Sequence, residues 1–393
     1  MQPLLLLKQT LEVSYDPGAL LLDGPNVRIT STEQFLSKTS GKTLFDNFTI
    51  KIDVNNIFSL SITFRKYKNK KLDISEVVYK SDKEWAILRP GMTHLEILSN
   101  ISEDIKIFQT NISTSGEFKW TIERIRCFLI SRLQPSGKKK EGAPFVTFDP
   151  TDRFDRHIRG LIHVPGLRGN PERTYKTTAF GPKFSGTFDN YVASVINHWQ
   201  VTKDHRLSDL GKALETLGLT WKVDAKQIDD TQVELRVGRL PYRTKGRAID
   251  MVSIADVGFG LSQTLPVLVA LLTAEPGQLV YIEQPEIHLH PRAQTALAQI
   301  LAQAVKRGVR VIIETHSALL LLAVQTLVAE AQLTPDKVKL HWFKRREDGV
   351  TEVTSADLDE AGAFGDWPED FAEVALTTES RYLDAAELRQ SIR

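Results

Sequence analysis

Cysteine is almost absent from the sequence, since Cys127 is the single one among 393 residues. One thiol excludes a disulfide framework within the chain and fits a reducing compartment. The chain also lacks an excess of charge of one sign, because 50 basic residues stand against 49 acidic ones and the net charge is +1. This balance demands neither nucleic acid nor an anionic membrane as a partner, although a neutral total can contain local patches.

Long hydrophobic runs are missing as well. The run at 4–7 contains only four leucines, and the stretch 318–328 is interrupted by Gln325. A membrane-spanning helix needs about 20 apolar residues, and a secretory signal needs a basic segment ahead of its apolar core, which this N-terminus lacks. We therefore expect a cytoplasmic protein without membrane contact.

A phosphate-binding P-loop is the third absence. The motif is Gly-x-x-x-x-Gly-Lys-Ser/Thr between a strand and a helix. The only Gly-Lys-Thr lies at 41–43, and Leu36 stands where the first glycine of the motif is required. The residues that follow, 46–54, have the pattern of a strand, so they cannot provide the helix N-terminus that binds phosphate.

The first third of the sequence predicts mainly β-structure after one leucine-rich helix at 4–11. The segments 48–54 and 58–64 have the apolar–polar alternation of antiparallel strands, and 71–79 and 84–88 are expected to continue the same meander. The stretch 120–133 has helical spacing, and we expect Cys127 within it to be a buried structural thiol.

From Asp256 onward helices and strands alternate, which favours a parallel sheet with helices on its faces. The helices are expected at 261–273, 292–304 and 318–332, and the strands at 278–282, 310–313 and 337–343. Upstream patterns predict helices at 188–200 and 207–217, then a hairpin of strands 220–223 and 232–237.

The first of the late helices starts in the sequence DVGFGLSQ, which ends at Gln263. Gly258 and Gly260 permit close approach of the backbone, and Ser262 can cap the helix. The helix N-terminus offers free N–H groups and a positive dipole end to a phosphate. A flexible turn before an ordinary helix is the other interpretation, and this stretch alone does not decide between them.

Polar side chains follow the next two strands, where each strand ends. The sequence YIEQPEIHLHP places Glu283, Gln284 and Glu286 after one strand, and ETHS places His316 after the other. Parallel strands end at a common edge, where such sheets bind ligands. We therefore expect the acids and the histidine to lie together.

The ordered trio of motifs resembles the carboxyl-terminal lobe of ABC-type ATPase heads, and more narrowly the bacterial OLD-like and AAA-family ATPases. GFGLSQ is similar to the signature motif, YIEQPEIHLHP to the Walker B strand with its D-loop, and ETHS to the switch-histidine loop. GLRGNPERTY at 166–175 and GAFGDWPEDF at 362–371 resemble a mid-chain segment and a C-terminal extension of the group.

This resemblance covers most of the chain and implies an α/β fold, namely an ABC-type P-loop NTPase head. Its three regions would be a β-rich N-terminal lobe at 1–115, a mixed helical and strand region at 116–245, and a parallel-sheet lobe at 246–393. The last of these would carry the motifs and the extension.

ATP and Mg²⁺ are the cofactors that the resemblance implies. Gly258, Gly260, Ser262 and Gln263 stand where the signature motif contacts the γ-phosphate of ATP held by a second head. Glu283 stands for the acid that reaches Mg²⁺, usually through water, which suits a cation that keeps several waters.

Gln284 stands where relatives have the glutamate that polarises the attacking water. An amide can orient water but cannot accept its proton. Glu286 would either supply a carboxylate or cap the following segment, and the sequence leaves both open. His316 matches the histidine that senses the γ-phosphate.

The implied function is an ATP-driven molecular switch in which a homodimer of heads drives a DNA- or partner-directed event through a separate effector protein. Phage defence enters only by analogy with the family. In relatives the P-loop precedes a leucine-rich helix that ends Lys-Gln-Thr-Leu-Glu, as residues 8–12 do here. The resemblance implies that the chain begins inside this helix, through a start placed at an internal methionine or through loss of the nucleotide-binding half.

Two other functions remain open. Without a P-loop, the chain could be a nucleotide-free scaffold that binds partners through the same dimer face. His288 and His290, beside Glu283 and Glu286, could instead form the zinc or manganese site of a metal-dependent hydrolase. The resemblance places both histidines in a loop that contacts the dimer partner.

Overall fold

The computed structural model describes residues 1–36, 45–67, 72–106, 118–135, 146–240, 250–365, 377–384, 387 and 389. The Gly-Lys-Thr sequence at 41–43 lies outside them. Contacts divide the chain into two compact units, one of residues 1–163 and 180–188 and one of 164–179 and 189–393. Helices and sheets occur in both units, which confirms the mixed α/β class.

In the residues that the structure describes, the first unit contains two antiparallel sheets and several helices. Its helices are α1 (Gln2–Glu12), α2 (His94–Ser99) and α3 (Asp152–Gly160). Its strands are β1 (Asn47–Val54), β2 (Phe58–Lys66), β3 (Leu72–Ser81), β4 (Trp85–Leu88), β5 (Phe118–Ile125), β6 (Phe128–Pro135) and β7 (Val146–Phe148). β1–β4 form one sheet in chain order and β5–β7 form the other. The four strands predicted for this meander are therefore confirmed to within a few residues.

Helix α1 lies in the core of this unit, which explains its leucine-rich sequence. Leu5, Leu6, Leu7 and Leu11 are all buried. Each such side chain contributes about 1.5–3 kcal/mol on burial, so packing rather than capping holds this helix. Pro3 stands in the first turn, where a missing N–H breaks no helical hydrogen bond.

Cys127 corrects the predicted helix at 120–133. The segment is a hairpin in which β5 and β6 pair antiparallel, and Arg126 at its turn has a φ of +53°. The thiol is nonetheless buried as expected, with 0% of Cys127 exposed. Burial raises the pKa of this thiol well above its ordinary value, so it remains protonated and inert.

The second unit carries the motifs. Its helices are α4 (Val192–Thr202), α5 (Arg206–Thr216), α6 (Phe259–Thr273), α7 (Pro291–Lys306) and α8 (Ala318–Ala329). β8 (Ile162–Val164) spans the boundary of the units, and β9 (Tyr175–Lys176), β10 (Val223–Gln227), β11 (Gln232–Gly238), β12 (Met251–Ser253), β13 (Leu279–Glu283), β14 (Arg310–Glu314), β15 (Lys339–Arg345) and β16 (Thr351–Asp357) follow. The predicted hairpin is the pair β10–β11, with its first strand starting at Val223 rather than at residue 220.

Strands β13 and β14 pair in parallel along their whole length, as the alternation of elements predicted. Leu279 lies opposite Arg310 and Glu283 opposite Glu314, so the two strands end together. The prediction that β15 continues this sheet is wrong. β15 pairs antiparallel with β16, because a tight turn at 346–349 folds the chain back, and a hydrogen bond from the Gly349 N–H to the Arg346 carbonyl closes this turn.

In the part of the chain that the structure describes, no helix combines the length and the apolar character that crossing a bilayer requires.

The start of the C-terminal extension packs on α8 through Gly362. Its φ is +76°, and an added Cβ would lie 2.4 Å from the carbonyl oxygen of Gln325. The Gln325 side-chain amide donates to the Gly362 carbonyl at 2.8 Å. We expect Gly362→Ala to detach this segment from α8 and to raise hydrogen–deuterium exchange at 359–365 by about tenfold or more, since 1.4 kcal/mol of local opening suffices for that.

Gly365→Ala is the matched control for this change. Gly365 also has a positive φ, +68°, but no described atom lies within 4 Å of its added Cβ. Both variants therefore carry the left-handed strain of about 1–2 kcal/mol, and only Gly362→Ala carries the clash. Equal exchange in the two variants would show that the contact with Gln325 contributes nothing.

Candidate functional site

The carboxyl ends of β13 and β14 bring the acidic and histidine motifs together, as the sequence predicted. Gln284 leaves β13 with a φ of +44°, and its N–H donates to the Glu314 carbonyl at 2.7 Å. The Thr-His-Ser turn follows Glu314 directly. One hydrogen bond thus fixes the start of both loops.

Glu283 is half-buried at the end of β13. Its Oε2 accepts a hydrogen bond of 2.9 Å from the N–H of Gly166. A Cβ added to Gly166 would lie 3.5 Å from this carboxylate, which is ordinary van der Waals contact, so this approach of the backbone does not itself require glycine. A single carboxylate beside backbone fits a hard cation that retains most of its waters better than a cation that needs several protein ligands.

The Glu286 carboxylate contacts the His316 turn rather than capping the segment that follows it in the chain, and its use as a catalytic carboxylate stays a prediction. It is only 9% exposed, and its Oε1 accepts from the N–H of His316 at 2.8 Å. Its Oε2 is buried without a hydrogen-bond partner among the described residues. Glu286 therefore caps the turn that carries His316.

The neighbouring serine fixes the same turn from the other side. The Ser317 hydroxyl donates to Oε1 of Gln294 on α7 at 2.7 Å and accepts from the N–H of Leu320 at 3.0 Å, which caps α8. The exposed imidazole of His316 thus projects from a backbone held by Glu286 and Ser317.

His288 and His290 have structural contacts. The His288 ring lies against Phe259, with 5.8 Å between centroids, and Nδ1 of His290 accepts from the Arg292 N–H at the start of α7. Among the described residues, no group of three or more His, Cys, Asp or Glu has the spacing of a metal site. These contacts match the interpretation of both histidines as loop residues.

The glycine-rich start of α6 presents backbone rather than side chains. Gly258 is its N-cap residue, and the prediction that Ser262 caps the helix is wrong, because Ser262 lies inside the helix and its hydroxyl donates to the Phe259 carbonyl at 3.0 Å. A cavity of about 580 Å³ opens here, lined by Gly218, Gly238, Arg239, Val252 and residues 256–258 and 260–261. Free N–H groups at a helix start suit an anionic ligand.

Arg168 is the residue whose role the sequence did not reveal. It is only 8% exposed and donates three hydrogen bonds: to the Gln263 carbonyl at 2.9 Å, to the Glu283 carbonyl at 2.6 Å and to the Gln284 carbonyl at 3.2 Å. Burial lowers its pKa to about 10, against the opposing effect of Asp189, Glu286 and Glu283. The guanidinium remains charged at neutral pH, and its only sequence signal was its place in GLRGNPER.

A family model described as "AAA domain, putative AbiEii toxin, Type IV TA system" matches residues 123–323, just over half of the chain. That span includes Arg168, the start of α6 and the ends of β13 and β14. No curated protein matches the chain.

Solved structures similar to the chain include heads of SMC proteins. An Smc head bound to the C-winged helix domain of ScpA has a TM-score of 0.40 at 10% identity, covering 86% of this chain and 84% of that one. An Smc head from Pyrococcus furiosus, bound to the C-terminal domain of ScpA, has a TM-score of 0.33 at 8% identity and covers 81% and 79%. The SMC head domain from Thermotoga maritima has a TM-score of 0.31 at 8% identity and covers 76% and 73%.

Proposed function

The chain belongs to the AAA-domain family whose model it matches over residues 123–323, and on this premise we propose that it is the head of an ATP-dependent molecular switch. The observation that carries the proposal is the joint position of Glu283, Gln284 and the His316 turn at one sheet edge, with Arg168 linking that edge to the start of α6. A nucleotide site needs an acid, a water-orienting group and helix N–H groups in such proximity.

Each residue has a role in this proposal. The Glu283 carboxylate would hold a water-shelled Mg²⁺, and His316 would sense the terminal phosphate. Gly258 and Gly260 would offer N–H donors to the phosphate bound by a second copy, and the Ser262 hydroxyl would turn from the Phe259 carbonyl to that phosphate. Gln263 would hold this part of α6 in place. Bound Mg²⁺ would supply charge neutralisation on the phosphates. The output would be conformational and would act on DNA or on a separate effector protein.

Slow turnover is part of the proposal. Gln284 stands where a general base is needed, and an amide accepts no proton there. Glu286 would compensate only through its buried Oε2, because its Oε1 accepts from the His316 N–H. The switch would therefore bind ATP and hydrolyse it slowly. Bound ATP would persist far longer than in an enzyme with a carboxylate at that position. Phage defence is one process that such a switch would serve.

A partner-binding scaffold that needs no nucleotide is the second candidate. The absence of a Gly-x-x-x-x-Gly-Lys-Ser/Thr sequence anywhere in the 393 residues favours it. This candidate predicts the same dimer face but no effect of ATP on assembly.

Equilibrium dialysis of Mg·ATP with the purified chain, combined with light scattering for mass, separates the two candidates. The switch predicts Mg²⁺-dependent binding and a dimer that forms with Mg·ATP, with little hydrolysis. Gln284→Glu should leave binding unchanged and raise turnover by about 10²–10⁴-fold, the usual contribution of a general base. Glu283→Gln should abolish the Mg²⁺ dependence.

Absence of Mg·ATP binding in the wild-type chain and in Gln284→Glu would refute the switch and leave the scaffold. A dimer of the same strength with and without nucleotide would support the scaffold further. Binding with unchanged turnover in Gln284→Glu would refute only the role assigned to Gln284.

A further inference from the structure

A four-residue segment, Gly166–Gly169, contacts both halves of the candidate site. We name it the bridge. On one side the Gly166 N–H donates to the Glu283 carboxylate, and Arg168 donates to the carbonyls of Glu283 and Gln284. On the other side Arg168 donates to the Gln263 carbonyl, and the Gln263 amide donates back to the Gly169 carbonyl at 2.7 Å.

The bridge connects elements that are otherwise far apart in the chain. Arg168 lies 95 residues before Gln263 and 115 before Glu283. Its guanidinium is planar and carries its donors in a fixed fork, so carbonyls that share it are held at a fixed separation. The first turn of α6 and the end of β13 therefore cannot shift independently while all three bonds persist.

Burial makes this linkage selective for arginine. Arg168 is only 8% exposed, and its Nε has no hydrogen-bond partner among the described residues. Carboxylates of Glu283, Glu286 and Asp189 act on it electrostatically. A lysine can place one charge in this position, but it cannot reach carbonyls on two elements with a fixed fork.

We propose that Arg168 is a positioning residue that couples the start of α6 to the acidic end of β13, so that a change at either one displaces the other. This inference rests on the proposed function for its purpose, since it would let a phosphate at α6 and a cation at Glu283 influence each other. The coupling itself is a property of the chain without ligand and is tested without one.

The test perturbs one end of the bridge and measures the other end by hydrogen–deuterium exchange of the full chain. Gln263→Leu removes the amide that holds Gly169, and exchange is followed at 279–288. We expect Gln263→Leu to raise exchange at 279–288 by about fivefold or more, the lower range of coupling between sites. In an Arg168→Met background, whose own exchange at 279–288 is already raised, the same change should add nothing.

Arg173→Met is the matched control, because Arg173 lies five residues away and pairs with Asp256 at the surface. Exchange at 279–288 should remain that of the wild type in this variant. Peptides from α4 report global stability: a change there of the same size as at 279–288 would show that Arg168 is merely structural. If Arg168→Met does not fold, Arg168→Lys replaces it, with the same expected loss of response to Gln263→Leu.

Additive effects of the Gln263 and Arg168 changes would overturn the proposal. So would restoration of the response in Arg168→Lys, because a point charge would then suffice. Addition of Mg·ATP to the wild type is a separate arm: protection at both 256–264 and 279–288 is expected, and protection at neither would refute the proposed function while leaving the ligand-free coupling intact. In the Arg168 variant, loss of the Mg·ATP protection at 256–264 with protection retained at 279–288 would confirm both the coupling and the proposed function.

Discussion

Gly260→Ala is expected to lower the free energy of unfolding by about 1–3 kcal/mol, as overpacking of a close contact does, and to abolish any response of the chain to Mg·ATP. A Cβ on Gly260 would lie 2.9 Å from the carbonyl oxygen of His288, so the two backbones must separate. The loop of His288 also carries the His290 cap of α7. Displacing it moves the start of α6 away from the edge that holds Glu283.

Gly258→Ala serves as the control, because no described atom lies within 4 Å of its added Cβ and its φ is −64°. As a change at an N-cap it should cost no more than about 1 kcal/mol. Chemical denaturation gives the stability of each variant, and equilibrium dialysis gives Mg·ATP binding. Equal losses of stability in the two variants would contradict the clash of Gly260 with His288, whereas Mg·ATP binding is compared with the wild type, because Gly258 itself belongs to the proposed phosphate site.

Local pattern was enough to predict most elements, and it failed where two periods fit the same residues. The apolar positions of 120–133 satisfy both a helix and a hairpin, and nothing in the sequence marks Arg126 as the turn. Alternation of helices and strands, extended past α8, predicts that β15 joins the parallel sheet, but β15 pairs with β16 instead. The Asp348-Gly349 pair is typical of a hairpin turn and therefore indicates the antiparallel pairing of β15 with β16.

The shared edge of Glu283 and His316 could be predicted because parallel strands end together whatever the details of their packing. The contacts of the bridge could not be predicted from the sequence. Arg168 donates to backbone carbonyl groups, which every residue has. The residue types at Gln263, Glu283 and Gln284 therefore do not indicate this contact. Only the fold brings Arg168 close to these carbonyls, since 95 or more residues separate them from it in the sequence.

Lys8→Met is expected to produce the largest loss of stability, about 3–5 kcal/mol, because it leaves one partner of a buried ion pair without the other. Lys8 is 0% exposed, pairs with Glu12 one turn along α1 and donates to the Phe184 carbonyl at 2.6 Å. Burial lowers the pKa of Lys8, and Glu12 opposes that effect. Without the cation, the Glu12 carboxylate retains, among the described residues, only the hydrogen bond from the Gly186 N–H at 2.9 Å.

Two comparisons test whether the unpaired Glu12 carboxylate causes the loss of stability in Lys8→Met. Adding Glu12→Gln to Lys8→Met removes the remaining charge, so the double variant should recover a large part of the loss, because neutral side chains of similar volume replace a buried pair at little cost. Lys51→Met breaks an exposed pair with Asp53, in which the side chains are 61% and 46% exposed, and should change stability by less than about 1 kcal/mol. Urea unfolding of the four chains gives these differences directly. A double variant as unstable as Lys8→Met would show that packing of the lysine stem, and not the unpaired carboxylate, holds α1 in the core.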